Sequence, residues 1–432
     1  MKKRFTLILL LILITPAFAG DWNMFKNDAT RSGYSDDVVN APLTLKWTKE
    51  LGFETDSSPV IANDVLYIGS TYGIFALDAK TGNELWRYHT NGFITSVPAV
   101  SNGVVYIGAD DRKFYAIDAK NGTLKWMNDN SLDGYSASAV VLNNVVYAIP
   151  KDGTFYAFDG NNGQIVWSTL IGKRSESSPA VGDGIIGFGT DRGEIVALDA
   201  ATGKLKWSYD TGVSDIRSSP VITNGTIIVG SNDGSIYALT TEKGALKWKY
   251  STRDNVESSP AVKNGIVYAG SRDSGFLAID SETGNTRWKF PDSGQVISSP
   301  AISNNVVYFG TKNNFIYGLD ANTGQRLWRN STGPNDKDYI TSPAISGNVL
   351  YAATHSGIIY AFSSGKESAQ TPSIEKTTGA PVISPTPTIS TTRVDPTTSS
   401  PQPEQTEKSP GFEYSVLVIL VTGVISIYFK KK

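Results

Sequence analysis

The sequence contains no cysteine, and its 432 residues include only two histidines, His89 and His355. The lack of cysteine excludes disulfides, thiolate metal sites, iron–sulfur clusters and cysteine nucleophiles. Two histidines are too few for most zinc sites or histidine-based triads, and we interpret both as incidental surface residues. Charged residues make up 19% of the chain and the formal net charge is -2, so we expect no nucleic-acid partner.

The first 19 residues have the pattern of a secretory signal peptide. Lys2, Lys3 and Arg4 precede an apolar run (FTLILLLILI), and the small residues Ala17 and Ala19 follow it. An uncleaved anchor helix is the alternative, but the run is short for a membrane span. We therefore predict that residues 1–19 are removed and that the protein is exported.

The composition of the chain changes after the last repeat. Residues 364–409 are rich in serine, threonine and proline, and we expect a disordered spacer because such a stretch buries little apolar surface. Residues 410–432 combine Pro410-Gly411-Phe412, an apolar run and three lysines. This combination resembles the PGF-CTERM sorting signal of archaeal surface proteins, which implies removal of an apolar helix and attachment to a lipid. The alternative is a transmembrane helix with its lysines in the cytoplasm, and both interpretations imply a membrane anchor at the cell surface.

The middle of the chain repeats one motif eight times. Successive tryptophans are 39 to 41 residues apart, and a Ser-Pro corner precedes most copies, with Ala139 in place of proline in the third. Between corner and tryptophan, short apolar runs alternate with Asn-Gly, Asp-Gly and Thr-Gly turns, so each copy predicts a four-stranded blade of a β-propeller. The tryptophans are Trp47, Trp86, Trp126, Trp167, Trp207, Trp248, Trp288 and Trp328.

The ends of the array predict how the ring closes. The array begins with a lone tryptophan strand at residues 43–49 and ends with a third strand at 359–362 that no tryptophan strand follows. We expect the first strand to complete the last blade, which removes the exposed edges of an open array. The prediction is an all-β, eight-bladed propeller of four-stranded antiparallel blades over residues 43–363, monomeric, with a lead-in segment at 20–42.

The phrase AxDxxTGxxxW, as in Ala76–Trp86 and Ala197–Trp207, resembles the repeat of the PQQ-like, quinoprotein-type propeller superfamily. The segments Trp22–Phe25 and Arg31–Tyr34 resemble the lead-in of its BamB-like branch. This resemblance implies that each tryptophan docks one blade on the next and does not bind a ligand. It covers residues 21–363 and is specific for the fold but not for the function.

The resemblance implies two different functions. In quinoprotein dehydrogenases, PQQ stacks in the central well and a calcium ion activates it, often against a vicinal cysteine pair. This chain has no cysteine, and its regular repeats leave little material for a substrate pocket. The BamB-like branch implies outer-membrane protein assembly, a role we do not transfer because the tail resembles that of an archaeal envelope protein. We predict a non-catalytic scaffold with no cofactor or metal and an unknown envelope partner. PQQ with calcium, or binding of envelope carbohydrate, are the alternatives.

Candidate binding residues lie three positions before the corners, where we expect the inner end of each blade. Carboxylates there would be able to hold a cation, and the favoured alternative is a solvated, salt-bridged rim. These residues are Asp56, Glu176, Arg217 and Glu257. Separate Asn-x-Ser/Thr sequences predict N-glycosylation of the exported chain at Asn121, Asn224 and Asn330.

Overall fold

The computed structural model describes residues 20–212, 214–273, 275–333 and 338–365, and the backbone of 415–421 and 424–430. The predicted signal peptide, spacer residues 366–409 and Pro410-Gly411-Phe412 lie outside the described residues. Residues up to Ala369 form one compact unit, and residues from Gln370 onward form another.

The first unit is an eight-bladed propeller of antiparallel blades, which confirms the predicted fold class. Each blade begins with an inner strand, and the inner strands of neighbouring blades contact each other around the axis. The chain enters through β1 (Tyr34–Ser35) and β2 (Leu43–Glu50). Blades 1 to 4 comprise β3 (Val60–Ala62), β4 (Val65–Gly69), β5 (Gly73–Asp78), β6 (Glu84–His89); β7 (Ala99–Ser101), β8 (Val104–Gly108), β9 (Phe114–Asp118), β10 (Leu124–Asn128); β11 (Val140–Leu142), β12 (Val145–Ala148), β13 (Thr154–Asp159), β14 (Ile165–Leu170); β15 (Ala180–Gly182), β16 (Ile185–Gly189), β17 (Glu194–Asp199) and β18 (Leu205–Asp210).

Blades 5 to 8 repeat this arrangement, with one 3₁₀ turn at Pro291–Ser293. They comprise β19 (Val221–Thr223), β20 (Thr226–Ser231), β21 (Ser235–Thr240), β22 (Leu246–Ser251); β23 (Ala261–Lys263), β24 (Ile266–Ser271), β25 (Gly275–Asp280), β26 (Thr286–Phe290); β27 (Ala301–Ser303), β28 (Val306–Gly310), β29 (Phe315–Asp320), β30 (Arg326–Ser331); β31 (Ala344–Ser346), β32 (Val349–Ala353) and β33 (Ile358–Ser364), with β2 as the last strand of blade 8.

The N-terminal strand completes the last blade, as predicted. β2 pairs antiparallel with β33, from Leu43 opposite Ser364 to Glu50 opposite Ile358. β1 adds a parallel fifth strand to the inner edge of blade 7, beside β27. The ring is therefore closed by hydrogen bonds between the two ends of the propeller.

The burial pattern explains why the strands differ in sequence. Second and third strands are covered on both faces by neighbouring blades, so they are continuous apolar runs such as Val104–Gly108, all of it buried. Outer strands have one open edge, and half-buried and exposed residues alternate in them, as in Glu84–His89. The hydrophobic core therefore lies between the blades.

The repeat tryptophans contact the next blade. In seven of eight, the indole Nε1 donates to a backbone carbonyl there, as Trp126 does to Gly160 O at 2.9 Å. Tyr106, on the second strand, donates to the same carbonyl at 3.0 Å. The turn requires glycine, because Gly163 has φ +72° and a Cβ there would lie 2.6 Å from the Trp126 ring. Trp167 packs against Gly203 in the same way.

Serine hydroxyls join the blades close to the axis. At seven of eight junctions, the N–H of the residue before the corner proline (or Ala139) donates to the equivalent serine Oγ of the next blade, at 2.8–3.1 Å. At the eighth junction the equivalent residue is Val97, which has no hydroxyl to accept a hydrogen bond from the Ser58 N–H. The repeated corner serine thus has a structural role that the motif alone did not reveal.

The described part of the second unit contains two strands. β34 (Ser415–Val421) pairs antiparallel with β35 (Val424–Lys430). The prediction of a helix over this apolar run is therefore wrong. The run contains many valines and isoleucines, whose β-branched side chains favour strands. Within the described residues, the structure has no helix with the length and apolar character needed to cross a membrane.

Candidate functional site

The predicted rim residues lie where the connecting loops enter the inner strands, at one end of the ring axis. Asp56, Glu176, Arg217 and Glu257 occupy equivalent positions in four blades. The structure places these residues in three ion-paired groups, around Arg217, Arg272 and His355.

The first group surrounds Arg217. Its Nε lies 2.7 Å from Asp215 Oδ2 and 3.7 Å from Glu176 Oε2. The hydrogen bond to Asp215, with the nearby charge of Glu176, raises the pKa of Arg217, so the side chain stays charged. Together with Arg174 and Asp191, these residues line a cavity of about 180 Å³.

The second group is an arginine–carboxylate pair. Arg272 NH2 donates to both carboxylate oxygens of Glu257, at 2.7 and 2.9 Å. Glu176 and Glu257 therefore both face guanidinium groups, whereas Ca²⁺ takes six to eight oxygen ligands. Among the residues that the structure describes, no three His, Asp or Glu side chains come together in a group able to hold a metal. The rim as arranged does not fit a calcium site.

The third group joins blade 1 to blade 8. Asp56 Oδ1 lies 2.7 Å from His355 Nδ1 and accepts a hydrogen bond from the Tyr339 hydroxyl. The Tyr339 and His355 rings stack, with centroids 4.8 Å apart. Burial, with the hydrogen bond to Asp56, raises the pKa of Tyr339 well above its usual value. His355 is thus a partner of a predicted rim residue, not an incidental surface group.

This third group borders a cavity of about 140 Å³, which Ile297, Ile340 and Thr341 also line. Sites for small molecules usually enclose about 300–1,000 Å³. This cavity and the one beside Arg217 are both smaller, so neither offers room for a tricyclic quinone with its substrate.

The lead-in segment crosses the axis and contacts every blade. In blade 1, Ile61 and Trp22 exchange two backbone hydrogen bonds, and five further inner strands donate N–H groups to carbonyls of the segment at 2.7–3.0 Å. Arg31 reaches blade 3, and Asp37 accepts from Gly347 of blade 8 at 2.7 Å. The five donor–acceptor pairs are Val100–Asn23, Val181–Ala29, Ile222–Thr30, Val262–Ser32 and Ile302–Gly33.

Two buried basic side chains occupy the centre of the ring. Arg31 donates to Pro179 O at 2.9 Å and to Ala139 O at 3.0 Å, and Lys26 donates to Pro260 O. Burial lowers the pKa of Lys26 and lowers that of Arg31 to about 9. The central well, where the resemblance to quinoproteins would place PQQ, is filled at the level of the inner strands.

A larger cavity lies between the lead-in segment and blade 3. It has a volume of about 550 Å³, and Asp21, Asp28, Asp36, Met24 and Leu142 are among its lining residues. Burial raises the pKa of Asp21. The repeat pattern gave no signal for this cavity, because it depends on the path of the lead-in segment.

The three predicted glycosylation sites differ in exposure. Asn121 is exposed, and its Oδ1 accepts from the Thr123 hydroxyl at 2.7 Å. Asn224 occupies a turn with φ +46°, but the hydroxyl-bearing Thr226 is buried. Asn330 is half-buried on the outer strand of blade 7.

A family model described as outer membrane protein assembly factor BamB matches residues 39–178, 151–260 and 251–400. The BamB of Shigella dysenteriae serotype 1 is 37% identical over 197 residues, which cover 40% of this chain and 50% of that protein. The quinohemoprotein alcohol dehydrogenase of Comamonas testosteroni is 28% identical over 208 residues, 44% of this chain and 25% of the relative. The matched regions thus span a quarter to a half of these relatives.

Solved structures with low identity show the same fold. BamB from Moraxella catarrhalis superposes with a TM-score of 0.65 at 21% identity, over 74% of this chain and 99% of that one. The Comamonas testosteroni quinohemoprotein alcohol dehydrogenase gives 0.66 at 15% identity, over 82% of each chain.

Proposed function

This chain belongs to the family of outer membrane protein assembly factor BamB, and from that premise we propose that it is a non-catalytic scaffold that binds another protein of the cell envelope. Relatives named as assembly factors support a protein-binding role. The rim supports it too, because its glutamates face arginines and the lead-in segment fills the axis. We therefore expect the partner on the outer surface of the ring.

The observation that carries this proposal is the uneven distribution of exposed apolar side chains. Fourteen large hydrophobic residues are exposed in the described chain, and eight of them belong to blades 2 and 3 or the loops leading into them. Leu132 is 82% exposed and Leu170 is 72% exposed. Such a concentration is typical of protein-binding surfaces. The eight are Phe93, Leu124, Met127, Leu132, Leu142, Ile165, Val166 and Leu170.

Affinity capture with matched variants tests the scaffold. The full-length tagged chain is cross-linked in envelope extract as wild type, Leu132→Asp and Leu327→Asp. Leu327 is an exposed leucine on blade 7, away from blades 2 and 3, so it controls for the charge itself. We expect the partner to be recovered with wild type and Leu327→Asp and to fall about tenfold with Leu132→Asp. Equal recovery with all three would contradict the proposed surface.

A quinone-dependent oxidoreductase is the second candidate, favoured by the similarity to quinohemoprotein alcohol dehydrogenases. The filled axis and the arginine-paired glutamates count against it. An absorbance spectrum of the purified chain after addition of PQQ and calcium distinguishes the two functions, since a scaffold binds neither.

We also propose that the scaffold is exported and held at the extracellular face of the cell membrane. The proposed division is a signal peptide at 1–19, a lead-in at 20–42, the propeller at 43–363, a spacer at 364–409 and an anchor at 410–432.

Intact-mass measurement of membrane-extracted protein tests the anchor. A C-terminus near Pro410 that carries a lipid mass is expected, and replacing Pro410-Gly411-Phe412 should then leave the unprocessed form. A C-terminus at Lys432 would refute processing. The same spectra report glycan masses at Asn121, Asn224 and Asn330, where unmodified asparagine at all three would end that prediction.

A further inference from the structure

The outer strands of the ring are edge strands, and seven of the eight carry a basic residue directly beside the repeat tryptophan. Charge on an edge strand, and lysine above all, prevents pairing with other chains. The seven strands are therefore protected against strand addition. The residues are Lys46, Arg87, Lys125, Lys206, Lys247, Lys249, Arg287, Lys289 and Arg329.

The outer strand of blade 3 is the exception. β14 has the sequence IVWSTL, and the chain carries no charged residue from Gly160 to Gly172. It is the last strand of its sheet, whose order is β11-β12-β13-β14. β14 has a bulge at Val166, where its pairing with β13 shifts, and pairs regularly from Trp167 to Leu170. Because alternate residues of an edge strand turn their N–H and C=O groups outward, this regular stretch presents backbone groups that have no ladder partner within the described chain.

One face of β14 is open beside this edge. Val166 is 57% exposed, and Leu170, on the same face, is the more exposed of the two. The other face is occupied, since Trp167 packs on Gly203 and the Thr169 hydroxyl donates to Gly203 O at 2.8 Å. An incoming strand would thus find free backbone groups at the edge and apolar side chains on one face.

We propose that β14 is the acceptor for an extended, uncharged strand of a partner protein, which adds to blade 3 as a fifth strand. This inference rests on the proposed scaffold function and names the edge and the chemistry of its partner. Main-chain hydrogen bonds supply the affinity, and Val166 and Leu170 select apolar residues at alternate positions. A charged strand would lose hydration without meeting an opposite charge between Gly160 and Gly172.

Blade 7 provides a precedent within the molecule for a fifth strand. There β1 pairs with β27 and extends the sheet to five strands, with Tyr34 opposite Ile302. That addition takes place at the inner edge and uses a segment of the same chain. At blade 3 the open edge is the outer one, and a strand from another protein would add there.

Two single substitutions test the edge in the full-length chain. Val166→Lys turns β14 into IKWSTL, the pattern of Leu205-Lys206-Trp207-Ser208 in blade 4, so the fold accommodates it. Lys206→Val makes the reverse change in β18. The probe is a short fluorescent peptide of alternating valine and threonine, and its control is the same peptide N-methylated at alternate residues.

We expect the unmodified peptide to bind wild type and to slow hydrogen exchange within residues 165–170. Val166→Lys should weaken binding at least about tenfold, and Lys206→Val should add a second, weaker site. Equal binding of the N-methylated peptide would overturn the proposal, because backbone pairing would not be involved. Self-association of the ring that Val166→Lys abolishes would also overturn it, since the occupant would then be a second copy.

Comparison with the capture experiment separates the two proposals. If Leu132→Asp loses the envelope partner and Val166→Lys retains it, the scaffold function stands and the strand acceptor fails. If wild type captures a partner and neither substitution affects capture, the apolar surface and the strand acceptor both fail. If wild type captures no partner, the scaffold function fails.

Discussion

Replacing Gly163 by alanine tests how the blades are docked on one another. Gly163 has φ +72°, and an added Cβ would lie 2.6 Å from Trp126 Cε3. The left-handed conformation costs alanine about 1–2 kcal/mol. Displacing the packed indole, which donates to Gly160 O, adds about 1–3 kcal/mol. The substitution should therefore destabilise the ring by about 2 to 5 kcal/mol.

Gly103 provides the matched control. It also has φ +72°, but a Cβ there meets nothing within 4 Å. Gly103→Ala should consequently lower the free energy of unfolding by only about 1–2 kcal/mol, the cost of the left-handed conformation for alanine. Urea unfolding followed by tryptophan fluorescence gives both values, and the difference between them measures the docking contact. Equal destabilisation by the two substitutions would refute the docking argument.

Three further predictions concern closure, pH and chemistry. Deleting residues 20–50 removes the lead-in segment and β2, so cooperative unfolding in urea should be lost, and a variant that unfolds as steeply as the intact chain would contradict the closure. Burial raises the pKa of Tyr67 and Tyr106 from 10.0 to about 12, so the native state keeps protons that the unfolded state releases, and stability should fall as the pH rises above 10. A free energy of unfolding that stays constant between pH 10 and 12 would refute this. Addition of PQQ and calcium should yield no dye reduction with alcohols or sugars, whereas a stoichiometric quinone spectrum lost in Glu176→Gln or Glu257→Gln would overturn the scaffold.

The ring could be predicted from the sequence because its determinants are local and repeated. The Asn-Gly turns between first and second strands, such as Asn102-Gly103, have positive φ at both residues, as that dipeptide favours. The position of Trp47 before the first complete copy predicted which strand closes blade 8. The corner serines were visible as a motif, but their hydrogen bonds join neighbouring blades and could be seen only in the structure.

The candidate site was less predictable, because its contacts join residues distant in sequence. The Asp56–His355 pair spans 299 residues, and nothing near either residue indicates the other. The lead-in segment showed no periodicity, so its path through the axis and the burial of Arg31 were not foreseen. The absence of charge around β14 was visible in the sequence. It indicates an unprotected edge only once β14 is known to be an outer strand.

The pairing of β2 with β33 has a consequence for the order in which the chain folds. The side chain of Thr44 donates to a carbonyl 319 residues further along. The outer strand of blade 8 is therefore synthesised first, and its other three strands are synthesised last. Contacts between such distant segments form slowly, since the entropy of closing the intervening loop opposes them. A chain that crosses a membrane from its N-terminus would hold β2 in solvent until the last blade emerges. Closure is then the final step of folding, and a chain interrupted before Ser364 cannot complete it.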